Sequence, residues 1–199
     1  MLLRICDASS LVIDALGDWA RGQNAAVACF YFDFAAQEQS PTSIMSSLLK
    51  QVLHGLKEIP TKITQAFQDQ KNIIGGRELG LGEIAEILQD ISSSRPTFIC
   101  IDALDECMPE YRAELLASLN QILNKSSSTR IFLAGRLHIR DEVEKCLARR
   151  VVALSIAPTS DDIIRFLQAK LKEDVIPDAM DKSLEADIIK DIPGMASEM

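Results

Sequence analysis

The sequence predicts an α/β fold, a three-layer core on a mostly parallel sheet, followed by the start of a helical subdomain. Three observations predict it. AVACFYFDF, TFICI, RIFLA and VVALSI are nearly continuous apolar runs, the pattern of strands buried on both faces of a parallel sheet. Between them lie stretches whose apolar residues repeat at three and four, as in amphipathic helices. Beyond Pro158 only helical patterns remain. The division expected is a core over 1–157 and the beginning of a helical subdomain over 158–199.

The elements follow in order. Residues 9–21 place Leu11, Val12, Ala15, Leu16 and Trp19 on one helical face, with two serines available to cap the start. Residues 26–34 form the first buried strand, with Asp33 near its end. A helix is expected over 42–56, with Ile44, Met45, Leu48, Leu49, Val52 and Leu53 as its stripe. A short helical stretch runs over 60–72, and Gly75-Gly76 marks a turn. A helix over 82–91 leads through SSSRP to the strand 97–101, since Pro96 favours extended geometry. Then come a helix over 110–123, a strand over 130–134, a helix over 139–147 and a strand over 151–156. A helix to residue 172, with Ser160 as its N-cap, and a helix over 181–190 complete the chain.

Composition excludes several classes. With 47% hydrophobic and 25% charged residues, 199 residues can bury a large core and are not disordered. A formal charge of -8 makes a poor general binder of nucleic acid. No early stretch approaches the roughly 20 apolar residues of a membrane span. The N-terminal MLLRICDASS is interrupted by Arg4 and Asp7, so no signal peptide is expected and the cytoplasm is the default. Five cysteines without a CxxC pair, and two histidines, argue against zinc and a disulfide framework. Cys29 and Cys100 lie inside apolar runs and read as small hydrophobes.

The chemistry concentrates in FICIDALDEC. Asp102 follows four apolar residues directly, and Asp105 and Glu106 come three and four later. An acid at the tip of a buried strand can hold Mg2+ through water, and a second acid can orient an attacking water. The same pattern also fits a strand leading into a helix whose acidic first turn meets the helix dipole. STRIFLAGR places Arg136 at the tip of a further strand, where a basic residue can sense a terminal phosphate or simply be solvated. His138 lies close behind it. Residues 130–150 carry Arg130, Arg136, Arg140, Lys145, Arg149 and Arg150 against three acids, a phosphate-facing surface or a solvated helix face. No serine or cysteine has a credible histidine and acid partner, so a nucleophilic hydrolase is unsupported. GxxxxGK[ST], whose backbone N–H groups and Lys cradle phosphates, does not occur.

CFYFDFAAQEQSPTSIMSSLLKQVL, TFICIDALDECMPEYRAELLASLNQIL and TRIFLAGRLHIRDEV together resemble the NACHT domain of fungal NOD-like receptor proteins, especially those with ankyrin repeats. The resemblance runs from about Ser9 to Met199. It implies a STAND-class P-loop nucleoside triphosphatase, an ATP or GTP switch that controls oligomerisation and signalling. By resemblance Asp102 is the magnesium acid of the Walker B motif. Asp105 and Glu106 are the trailing acids, one of them linked to hydrolysis, and Arg136 is the phosphate sensor. Relatives read GRPH where this chain has Gly135-Arg136-Leu137-His138. Relatives also place GKT or GKS before the first helix, where this chain has Ile5 and Cys6. The expectation is a partial NACHT module, its first strand and Walker A loop lacking. Mg2+ with ATP or GTP is the implied cofactor, bound weakly or not at all. Self-association, or pairing with other NACHT-containing proteins, is the implied partnership. The competing expectation is a non-catalytic scaffold that keeps the fold alone.

Overall fold

The computed structural model describes residues 5–33, 39–56, 59, 61, 63–65, 68, 79–147, 150–156, 159–172 and 181–196. The expected helix over 60–72 and the Gly75-Gly76 turn fall largely outside these residues. The described elements are α1 (Ile5–Ala20), β1 (Ala26–Tyr31), α2 (Pro41–His54), α3 (Leu81–Ser94), β2 (Thr97–Asp102), α4 (Pro109–Lys125), β3 (Thr129–Leu133), α5 (Arg140–Leu147), α6 (Ser160–Lys172) and α7 (Lys182–Ala196). Short 3-10 turns at Leu104–Glu106 and Leu137–Ile139 follow β2 and β3. The chain divides into two compact units, one spanning Ala8–Ala153 and the other containing α6 and α7.

The sheet is parallel, in the order β1-β2-β3, so the acid-ended strand is central. The pleat sorts its side chains. Ala26, Ala28, Ile99 and Ile101 point to one face, where they are buried with Ile44, Leu48, Leu88, Leu115 and Leu119 of α2, α3 and α4. Phe98 points to the other face, where its ring meets Trp19 of α1 edge-on at 5.3 Å. Helices thus cover both faces, the three-layer arrangement read from the apolar runs.

The two edges of the sheet differ. On β1, the Gln51 side chain of α2 imitates a neighbouring strand: its Oε1 accepts from Cys29 N–H at 2.9 Å and its Nε2 donates to Cys29 O at 2.7 Å. That occupies the outward N–H and C=O of Cys29, groups an edge strand leaves open. No strand among the described residues pairs with the far edge of β3.

The expected fourth strand is a correction. Residues 151–156 are neither strand nor helix, and Val152, Leu154 and Ile156 are 96%, 83% and 63% exposed. A β-branched apolar run becomes a strand only with a ladder partner. None is present among the described residues, and the boundary between the two units falls inside the segment. The cap of α6 is also corrected by one residue. Thr159, not Ser160, closes it: Thr159 Oγ1 accepts from Asp162 N–H at 3.2 Å, and Asp162 Oδ2 accepts from Thr159 N–H at 3.0 Å. The Thr159 hydroxyl, which donates to Asp162 Oδ2 at 2.6 Å, and then the Thr159 N–H hold the Asp162 carboxyl below the usual range.

Arg95 fixes the entry to β2. It is 5% exposed, and its Nη1 and Nη2 donate to Gly55 O and Val52 O, carbonyls at the C-terminal end of α2. A cation suits that end of a helix dipole. Burial nevertheless pulls the guanidinium below its ordinary value. A hydroxyl cluster ties the same end of the sheet together. Ser126 and Ser128 both donate to Ser92 O, and Thr129 donates to Ser126.

Candidate functional site

Parallel pairing brings the ends of all three strands to one side, the usual place for ligands on an open α/β sheet. Asp102 is the last residue of β2, lies opposite Tyr31 in the ladder and is 1% exposed. Its Oδ1 accepts from Ala103 N–H at 2.9 Å. Ala103 has φ 53 and ψ 40, the left-handed region, and is the one non-glycine residue with positive φ among those described. An alanine there costs about 1–2 kcal/mol, so neighbouring bonds must hold it. They do: Leu104 N–H donates to Ala134 O at 2.9 Å, and Ala134 N–H donates to Ile101 O at 2.9 Å. The bend sends the chain directly into the turn that carries Asp105 and Glu106.

The two acids of that turn have different surroundings. The Asp105 side chain is 8% exposed. Its Oδ1 accepts from Arg136 N–H at 3.2 Å, and its Oδ2 faces Arg136 Nε at 3.3 Å. Glu106 is exposed, and its side chain has no partner among the described residues. Gly135 makes the approach possible, since a Cβ there would stand 2.8 Å from Ile139 Cδ1 and 3.3 Å from Asp105 Oδ1. The geometry therefore joins Asp105 and Arg136, which the sequence had placed at the ends of separate strands. His138 is exposed in the following turn.

Sequence reasoning missed the brace beneath this turn. Arg112, 7% exposed on α4, donates from Nε and Nη2 to Glu142 Oε2 of α5, each at 2.8 Å. Its Nη1 donates to Cys107 O at 2.9 Å and Asp105 O at 3.5 Å. The available signal was its position: Arg112, Leu115, Leu116 and Leu119 share one helical stripe, and an arginine on a buried stripe needs acceptors. Tyr31 was missed as well. Burial raises its phenol, and Cys29, Asp102 and Asp14 push the same way against a hydrogen bond with Ser10.

Three arginines of the basic run over 130–150 are engaged locally, while Arg149 lies outside the described residues. Arg130 donates to Ser127 O and Thr129 O, Arg140 pairs with Glu144 at 2.6 Å, and Arg150 donates to Leu123 O. A cavity of about 550 Å3, lined by Lys125, Arg130, Ile131 and Arg150 among others, opens at the start of β3, the end opposite Asp102 and Arg136. The described cysteines Cys29, Cys100, Cys107 and Cys146 are free thiols.

Mg2+ is the ion the resemblance implies. Among the described residues, no group of three or more His, Cys, Asp or Glu side chains gathers as a ligand set. Asp102 fits the mode in which Mg2+ keeps its waters and takes one protein carboxylate beside substrate phosphates. Asp105 fits it poorly, because both its oxygens already face Arg136. No described helix is long and apolar enough to cross a membrane.

Fold and site together define an α/β protein with a three-layer core, whose polar groups gather at the carboxyl end of an acid-tipped central strand. The chain belongs to the family described as Nephrocystin 3, N-terminal, whose profile matches residues 8–136. That span runs from α1 through Arg136 and contains Asp102, Asp105, Glu106 and Arg136. Among curated proteins, none matches the chain.

Proposed function

We propose that the chain is part of a cytoplasmic, nucleotide-dependent oligomerisation switch of the NACHT type, a STAND-class P-loop nucleoside triphosphatase akin to those of fungal NOD-like receptors with ankyrin repeats. The observation that carries this reading is the pairing of an acid-ended central strand with an arginine-ended neighbour at one end of a parallel sheet. In this role Asp102 would hold Mg2+, Arg136 would meet the terminal phosphate, and Asp105 and Glu106 are the trailing acids, one of them linked to hydrolysis. Bound Mg2+ supplies charge neutralisation at the phosphate oxygens of ATP or GTP.

These 199 residues contain no GxxxxGK[ST], the motif whose backbone N–H groups and lysine hold phosphates in such sites. Among the described residues, phosphates brought to this end of the sheet meet carboxylates with one arginine as the opposing clamp, and like charges repel at short range. Titration calorimetry is expected to give no micromolar binding of ATP-Mg2+ or GTP-Mg2+, and hydrolysis stays at background. A micromolar dissociation constant that weakens in Asp102→Ala would overturn the impaired-site reading.

A second reading, a protein-interaction scaffold without chemistry, draws on the contrast between the two sheet edges. Gln51 binds the outer edge of β1 at Cys29, whereas no described strand pairs with the outer edge of β3, and exposed β-strand edges are templates for pairing. Both readings predict self-association. Sedimentation velocity should show an average mass rising with concentration; a compact monomer throughout the range removes the self-association claim.

A further inference from the structure

Resting on the nucleotide reading, we infer that Asp105 is a positioning residue that latches Arg136 and keeps it from anions, so that Glu106 is the acid of the doublet left to face a ligand. Three observations carry this. Arg136 is tied twice to one carboxylate, through its backbone N–H and its Nε. The carboxylate is almost fully buried while the arginine side chain is 74% exposed, so the fixed member is the acid and the movable member is the cation. Glu106, the next residue, is exposed, its side chain without a described partner.

The surrounding frame holds Asp105 and not Arg136. Its backbone carbonyl accepts from Arg112, and Arg112 is anchored on Glu142. Gly135 lets the turn after β3 come close enough for the Asp105 carboxylate to reach Arg136 N–H. A phosphate approaching the outer nitrogens of Arg136 meets a guanidinium whose charge is already offset by a carboxylate at 3.3 Å. That carboxylate also repels the incoming anion, moderately so because the arginine is largely solvated. Asp105 therefore acts on ligands through Arg136.

The test uses the full chain and inorganic pyrophosphate without metal. Asp105→Asn should bind pyrophosphate at least about threefold more tightly than the native chain. Arg136→Gln in the same background should cancel that gain. A residue that merely supported the fold would not tighten anion binding when neutralised. Asp105→Ser serves as the second variant if the asparagine form does not fold. Unchanged or weaker affinity in the neutralised variants, including no binding by any form, overturns the latch. The outcome is separable from the nucleotide reading. Pyrophosphate needs neither Mg2+ nor a base pocket, so the ATP-Mg2+ titration with Asp102→Ala decides that reading independently.

Discussion

Arg112→Ala is expected to lower the unfolding free energy by about 2–3 kcal/mol and to loosen the turn that carries Asp105 and Glu106. Arg112 is 7% exposed and makes short charge-assisted bonds to Glu142, with a further bond to Cys107 O. Breaking a fully buried ion pair costs roughly 3–5 kcal/mol. The Glu142 side chain is 31% exposed and regains water when its partner goes, which reduces the figure. Urea unfolding measures the loss. Arg112→Met separates packing from charge, because it refills much of the volume without donors. If the alanine variant loses under about 1 kcal/mol, the brace is not what holds the turn.

The consequence for the site is geometric. Asp105 O and Cys107 O lie on either side of Glu106, and both accept from the same guanidinium. Releasing them frees the backbone that aims Glu106 and presents Asp105 to Arg136. Stability and site geometry are therefore coupled through one residue on α4.

The strands and helices were legible where a local pattern sufficed. The runs at 26–31, 97–102 and 129–133 are apolar enough that little except a buried strand fits them, and the observed bounds differ by a residue or a few. The same reasoning failed at 151–156, because apolar composition specifies a willingness to pair, and pairing needs a partner. Asp102 and Arg136 could be assigned to one end of the sheet because parallel strands end on one side. Their separate fates were not legible. Nothing in DALDE says which acid is buried, since that depends on Ala103 adopting the left-handed conformation and on Gly135 allowing a close approach from another strand. The glutamine covering β1 was invisible for a similar reason: Gln51 reads as a helix surface residue until the helix is laid against Cys29.

Alkaline pH should destabilise the fold through two thiols. Cys100 and Cys107 are 0% and 3% exposed. Burial pushes each up to about 11 from an ordinary value of 9.0, with Cys29 adding for Cys100, and with Arg112 opposing and Glu142 adding for Cys107. The folded chain then keeps protons that the unfolded chain has released. Stability is accordingly retained below about pH 9 and falls as pH rises toward 11, at about 1.4 kcal/mol per pH unit for each thiol. Domains of this size are stable by only about 5–15 kcal/mol, so unfolding should set in before the thiols ionise in place. Urea midpoints measured between pH 8 and pH 11 under reducing conditions should therefore drop steeply. The double variant Cys100→Ala/Cys107→Ala should start from a lower stability at neutral pH, because two buried sulfurs are lost, yet decline more gently above pH 9. Every other titratable group is present in both proteins, so the difference between the two slopes isolates the thiols. Parallel declines would mean that burial of these sulfurs does not govern the alkaline limit, and that the loss belongs to the other titrating groups.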